Sequence, residues 1–160
     1  MAQDIFLKIA GIDGESQDSA HKNEIDVSSW TWQVLQESNM QQGSGGGSGK
    51  ATVKDLSFVH DVDRASPNLM KYCLTGKHIP EAKLTVRKAG GTPLEYLKLT
   101  MTDVVITNVQ PAGSSKDEII KEQVSMSFAK VKQEYTVQNQ QGGSGGAVTA
   151  GYDIKLNKEA

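Results

Sequence analysis

At 160 residues, with 37% hydrophobic and 22% charged side chains, the chain can bury a core and is too apolar for a disordered segment. Its formal net charge of −2, with Lys and Arg scattered singly among Asp and Glu, excludes a nucleic-acid binder, which needs a clustered basic excess against phosphates. The lone Cys73 leaves no internal disulfide, and no apolar run approaches the roughly 20 residues that span a bilayer, so no membrane insertion is expected. Met1–Lys8 has neither the basic start nor the sustained apolar stretch of a signal peptide.

Alternation with period two dominates from the first strand onward. Ile5, Leu7 and Ile9 share one face, Phe6, Lys8 and Ala10 the other, and the Gly11–Gly14 stretch closes the strand. From Asn23 to Gln36 the chain is again extended. Ile25 and Val27 share a face, then Trp30, Trp32 and Val34 do, with a parity switch near Ser28 and Ser29 that predicts a bulge or a strand bending between sheets. Gln41–Gly49 is a flexible Gly/Ser segment, and a third strand is predicted over Lys50–Val59.

One helix is signalled by Ser66 as N-cap, Pro67 at the first position and Gly76 as the left-handed stop, with Leu69, Met70, Cys73 and Leu74 facing the sheets. Strands follow near Ala82–Lys88 and Glu95–Val109, the latter switching parity around Asp103. In Glu118–Val137, Val124, Met126 and Phe128 share one parity, and Val131, Tyr135 and Val137 the other. After a second flexible insert at 142–146, Ala147–Leu156 alternates through Val148, Ala150, Tyr152, Ile154 and Leu156. Long strands with parity switches and one short helix define a mainly β chain. The predicted architecture is a two-sheet antiparallel β-barrel with a short flanking α-helix, a single domain over residues 1–160.

No catalytic, metal or cofactor site emerges. Gly43–Lys50 superficially matches a phosphate loop, but Ser44 stands where the first Gly belongs, Ala51 where Ser or Thr should bind magnesium, and a strand follows in place of a helix. His21, His60 and His78 share no metal-ligand spacing. Period two puts His60 opposite Asp61 and Asp63, as a solvated strand end, and Cys73 on the helix stripe as a small core residue. Trp30 and Trp32 read as core residues or, as the alternative, the walls of a ligand pocket in a monomeric β-barrel. On the core reading Thr31 points outward, on a strand bulky on one side and small and polar on the other. Such a strand suits a surface over which another molecule passes.

An ordered set of short stretches resembles the Hcp family, the hemolysin-coregulated tube proteins of type VI secretion. The set is Phe6-Leu-Lys-Ile9, Gly14-Glu-Ser16, Glu24-Ile-Asp-Val27, Trp30-Thr-Trp32, Ser66-Pro67, Thr75-Gly-Lys-His78, Leu84-Thr-Val-Arg-Lys-Ala-Gly-Gly91, Glu95-Tyr-Leu97 and Ser127-Phe-Ala-Lys130. Gly151-Tyr-Asp153 resembles the closing strand, although Tyr152 stands where the family more often has Trp. The resemblance implies a structural, non-enzymatic subunit that forms homo-hexameric rings. The rings stack into a tube inside a sheath and behind a spike, hold effector proteins in the lumen, and leave the cell without a signal peptide. A tail-tube subunit of a related contractile particle is the neighbouring alternative.

A ring of this kind uses a heterologous contact that closes by rotation and buries about 1,600 Å² if it is of standard size. Thr31, and Ser115 in the loop before the long strand, are the expected lumen-facing residues. Gln42, Gly43, Ser44, Gly45, Gly46, Gly47 and Ser48 form the expected contact loop toward the next ring or protomer.

Overall fold

The computed structural model describes residues 3–37, 51–89, 93–141 and 143–160. The expected contact loop, Gln42–Ser48, lies outside the described residues. In chain order the strands are β1 (Gln3–Ile9), β2 (Ile25–Asp26), β3 (Ser29–Thr31), β4 (Val34–Leu35), β5 (Thr52–Val53) and β6 (Leu56–Asp61). Helix α1 (Ser66–Thr75) follows, then β7 (Ile79–Lys88), β8 (Leu94–Ala112), β9 (Lys121–Gln138), β10 (Ser144–Asp153) and β11 (Lys158–Glu159).

The mainly β, antiparallel class with one helix is as predicted, but the barrel is not closed among the described residues. A single nine-stranded sheet runs β11-β10-β9-β8-β7-β1-β2, with β6 added to β9 and β3 to β6. β4 and β5 form a separate two-stranded ribbon. The sheet curls back on itself through Ile25–Thr31. β2 pairs with β1, then Ser28 N–H donates to the Val59 carbonyl at 2.8 Å and β3 pairs with β6. Among the described residues the sheet therefore has no continuous closing ladder. The parity switch predicted at Ser28 and Ser29 is this change of partner.

A second switch bends three strands together. On β8, Leu99 and Met101 are buried, then Val104 and Ile106, with Asp103 between them at φ 56°. On β9 the buried set Val124, Met126 and Phe128 changes parity before the partly buried Val131, and on β7 Ile79 is followed by Ala82 and Leu84. Thr102 pairs with Glu81 and Lys130, so the three switches lie side by side and form one corner. Folding the sheet there brings Leu7, Leu84, Leu99 and Met101 into the same core as Phe58, Val124 and Met126.

Helix α1 lies beside β8 but with a different face inward from the one predicted. Ala65 and Leu69 are buried and Tyr72 and Cys73 half-buried, whereas Met70 is 53% exposed and Leu74 78%. Spacing of i, i+4, i+7, i+8 from Ala65 is the true stripe. Ala65 occupies the N-cap position without a side-chain cap bond, and Ser66 is already helical. Gly76 does take the left-handed stop, at φ 67°. At the chain end β10 stops at Asp153, whose Oδ1 accepts the Leu156 N–H, so Leu156 leaves the alternation and is exposed.

Candidate functional site

Strands β3, β6, β9 and the distal part of β8 lie in register and carry alternating rows of opposite chemistry. Trp30, Phe58, Val124 and Val109 align in one row and pack toward the core. One residue away, Thr31, Ser57, Ser125 and Asn108 align and point to the other side. The next outward row is Ser29, Val59, Gln123 and Gln110. Neither outward row holds a titratable side chain. Ser57 and Ser125 share a 2.8 Å hydrogen bond across the strands, leaving a shallow face of short, neutral, hydrogen-bonding groups.

Charge is confined to the margins of this face. Lys121 Nζ sits 2.5 Å from Asp61 and donates to Ser28 Oγ at 3.2 Å, and Thr107 Oγ1 donates to Asp55 at 2.6 Å. Among the described residues, the edges of these four strands are open. β7 pairs with β8 only up to Val104, so Val105–Ala112 has β9 alone as partner among the described residues, and β3 pairs only with β6. Thr31 is exposed on this face, as its position between two Trp residues predicted. Ser115 is exposed in the loop beyond the end of β8, beside Ile120, and not on the sheet itself.

Trp30 and Trp32 are half-buried against the core. Trp32 Nε1 donates to the Lys54 carbonyl at 2.9 Å and its ring tilts against Phe128. The hollow beside Trp30 and Thr31 holds only about 90 Å³ and Trp32 does not line it, so the two rings do not form a ligand pocket. Val34, expected to continue their face, lies on the exposed β4 ribbon.

His60 overturns the expectation of a solvated strand end. It follows Leu56 and Phe58 inward and is fully buried, with Nε2 2.8 Å from Glu122 Oε1. Asp63, past the end of β6, turns back to within 3.7 Å of Nδ1, and Ser66 Oγ donates to the same Glu122 oxygen at 3.0 Å. Burial alone would lower the imidazole's proton affinity, but the nearby Asp63 carboxylate and the bond to Glu122 outweigh it and raise the pKa above the ordinary value. The cluster ties the start of α1 to β9. Ser66, proposed as a helix cap, serves here as a link in the tie. The cluster's sequence signal was Glu122, an acidic residue on the inward parity of Val124 and Met126. Among the described residues, no group of three His, Cys, Asp or Glu side chains could hold a metal ion.

The site is thus a neutral sheet face backed by an apolar row, with charge only at its margins. The family model described as "Type VI secretion system effector, Hcp" matches residues 6–135. The chain is 44% identical to the protein hcp1 of Pseudomonas aeruginosa, covering all of both chains. It superposes on the crystal structure of Hcp1 from Salmonella typhimurium with a TM-score of 0.85 at 57% identity, again over all of both chains. A solved type six secretion system protein gives a TM-score of 0.94 at 28% identity, covering 99% of this chain and 100% of that one. This chain belongs to the Hcp family. It is a secreted tube subunit of type VI secretion, structural and not enzymatic. No helix among the described residues is long and apolar enough to cross a membrane.

Proposed function

We propose that six copies close into a ring, that rings stack into the secretion tube, and that the face carrying Thr31 lines the lumen and holds effector proteins there. The observation that carries this reading is the pair of neutral rows, Thr31-Ser57-Ser125-Asn108 and Ser29-Val59-Gln123-Gln110, on a sheet whose other face is core. Short uncharged groups offer a passing protein hydrogen bonds without an ion pair that would have to break as it moves on.

The edges left unpaired at β3 and at Val105–Ala112 support contact between neighbouring copies, because a row of free N–H and C=O groups is a ready template for pairing with another chain. Ser115, at the end of β8, is placed by this reading at the lumen's rim. The spike caps this tube, the sheath encloses it, and the subunit leaves the cell with the tube.

Thr31→Arg tests the assignment. The outward side chain predicts intact rings of unchanged mass with weakened retention of a co-expressed effector, measured by co-purification. Loss of the rings would place Thr31 at a subunit contact and sink the lumen assignment.

A further inference from the structure

The segment 11–24, between β1 and β2, lies over the face of β1, β7 and β8 that points away from the core. It is pinched into a strap by its own backbone: Gly14 N–H donates to the Asn23 carbonyl, Asn23 N–H to Ser16, and Ser16 N–H to Glu24. A side chain at Gly14 would meet the Glu24 carbonyl at 2.6 Å, so the pinch requires glycine there. Beneath the strap Phe6, on the parity opposite Leu7, is only 4% exposed because the His21 ring stacks on it at 4.3 Å.

Two side-chain clamps hold the strap down, and the Arg64 N–H donates to Glu15 Oε2 at 2.7 Å beside them. Arg87 on β7 reaches Asp18 of the strap at 2.5 Å and Asp4 of β1 at 2.9 Å. Its guanidinium stays charged at any pH the protein meets. His21 is the second clamp, with Nδ1 2.9 Å from Glu24 Oε2 and Nε2 2.6 Å from Glu95 Oε2 on β8. A neutral imidazole carries one N–H, and ionised carboxylates only accept, so both bonds exist together only in the imidazolium.

We infer that His21 is a pH-sensitive latch, which closes the strap onto β8 when protonated and releases one of its two carboxylates when it loses that proton. Of the charged groups around it, the carboxylates favour the imidazolium and the two cations oppose it. Glu24 and Asp18 lie on the strap, Asp4 on β1, and Glu95 on β8 with Lys98 3.6 Å away, while Arg87 on β7 sits over the Phe6 ring. Burial would raise the Glu95 carboxyl, yet the bond and charge of His21 hold its pKa below the ordinary value. The latch is thus closed in the interval where the carboxylates are ionised and the imidazole is protonated. Above it the neutral imidazole keeps one carboxylate. Where that is Glu24, within the strap, the tie to β8 is lost, Arg87 at Asp18 and the Arg64 N–H at Glu15 still retain the strap, and Phe6 loses the fixed ring that covers it.

Hydrogen exchange on the full chain, in its native assembly and corrected for intrinsic rates, tests the latch between pH 6 and pH 9. The strap amides of Gly14, Ser16, Asn23 and Glu24 should lose protection by about tenfold relative to those of β9, the effect of one charge-assisted hydrogen bond. Glu95→Gln supplies an amide that a neutral imidazole can also bond, so its strap should stay closed with no step. His21→Gln should remove the step and leave the strap loosened throughout. Nitrogen NMR of the imidazole should show both ring nitrogens of His21 protonated at the pH where the strap is closed. A wild-type strap whose protection is level across the range, a closed strap over a neutral His21, or the same step in His21→Gln would overturn the inference.

Discussion

The two faces of the β3-β6-β9-β8 sheet come from adjacent residues of the same strands, yet they serve opposite ends. Trp30, Phe58, Val124 and Val109 are held by the core they pack against, while Thr31, Ser57, Ser125 and Asn108 are uncharged and face away from it, the side proposed above to line the lumen. A one-residue shift of register would exchange the two rows. Stability and function are therefore separable here by parity, and substitutions on the two rows should behave differently.

The largest effect is expected on the inward row. Phe58→Ala removes a ring that is 1% exposed at the junction of β6, β9 and β3, and should lower unfolding free energy by about 3–5 kcal/mol in denaturant titration. A loss under about 1 kcal/mol would mean that this row is not the core.

His60→Ala comes next and asks whether the inward face tolerates charge only as a bonded cluster. It leaves Glu122, 3% exposed, without its imidazole partner, and should cost about 3 kcal/mol at pH 6. The folded pKa of His60 is raised above its ordinary 6.5, so its contribution is fully present below that value and fades as pH rises through the folded pKa. The gap between wild type and variant in denaturation midpoint should accordingly narrow toward pH 9. A gap that widens with pH would mean that His60 is buried as the neutral ring.

The smallest effect belongs to the outward row. Gln123→Lys, on an exposed position beside Ser29 and Val59, should change stability by no more than about 0.5 kcal/mol while making effector retention dependent on salt. A large stability loss there would show that the neutral face is a packed contact.

Much of this division was legible from the chain alone. Parity switches at Ser28 and around Asp103 located the change of strand partner and the corner, because alternation reports directly which face is buried. Thr31 between Trp30 and Trp32 located the outward row for the same reason. The single curled sheet was not legible, since alternation tells which side of a strand is buried but not which strand lies beside it. The helix face was misjudged because Met70 and Leu74 are apolar without being buried, and Ala65, which does the docking, lies before the first helical residue. His60 was missed because its partner Asp63 reaches it only after the strand has ended, where period two no longer holds. The His21 latch depends on Glu95, far along the chain, and no local pattern connects them.

Self-assembly is the claim on which the lumen assignment depends, and solution mass tests it most directly. Light scattering on a size-exclusion peak, at micromolar concentration and two salt levels, should give six times the 17.2 kDa chain. A peak at the mass of one chain under both conditions would contradict the ring, and with it the reading of the Thr31 face as the inside of a tube.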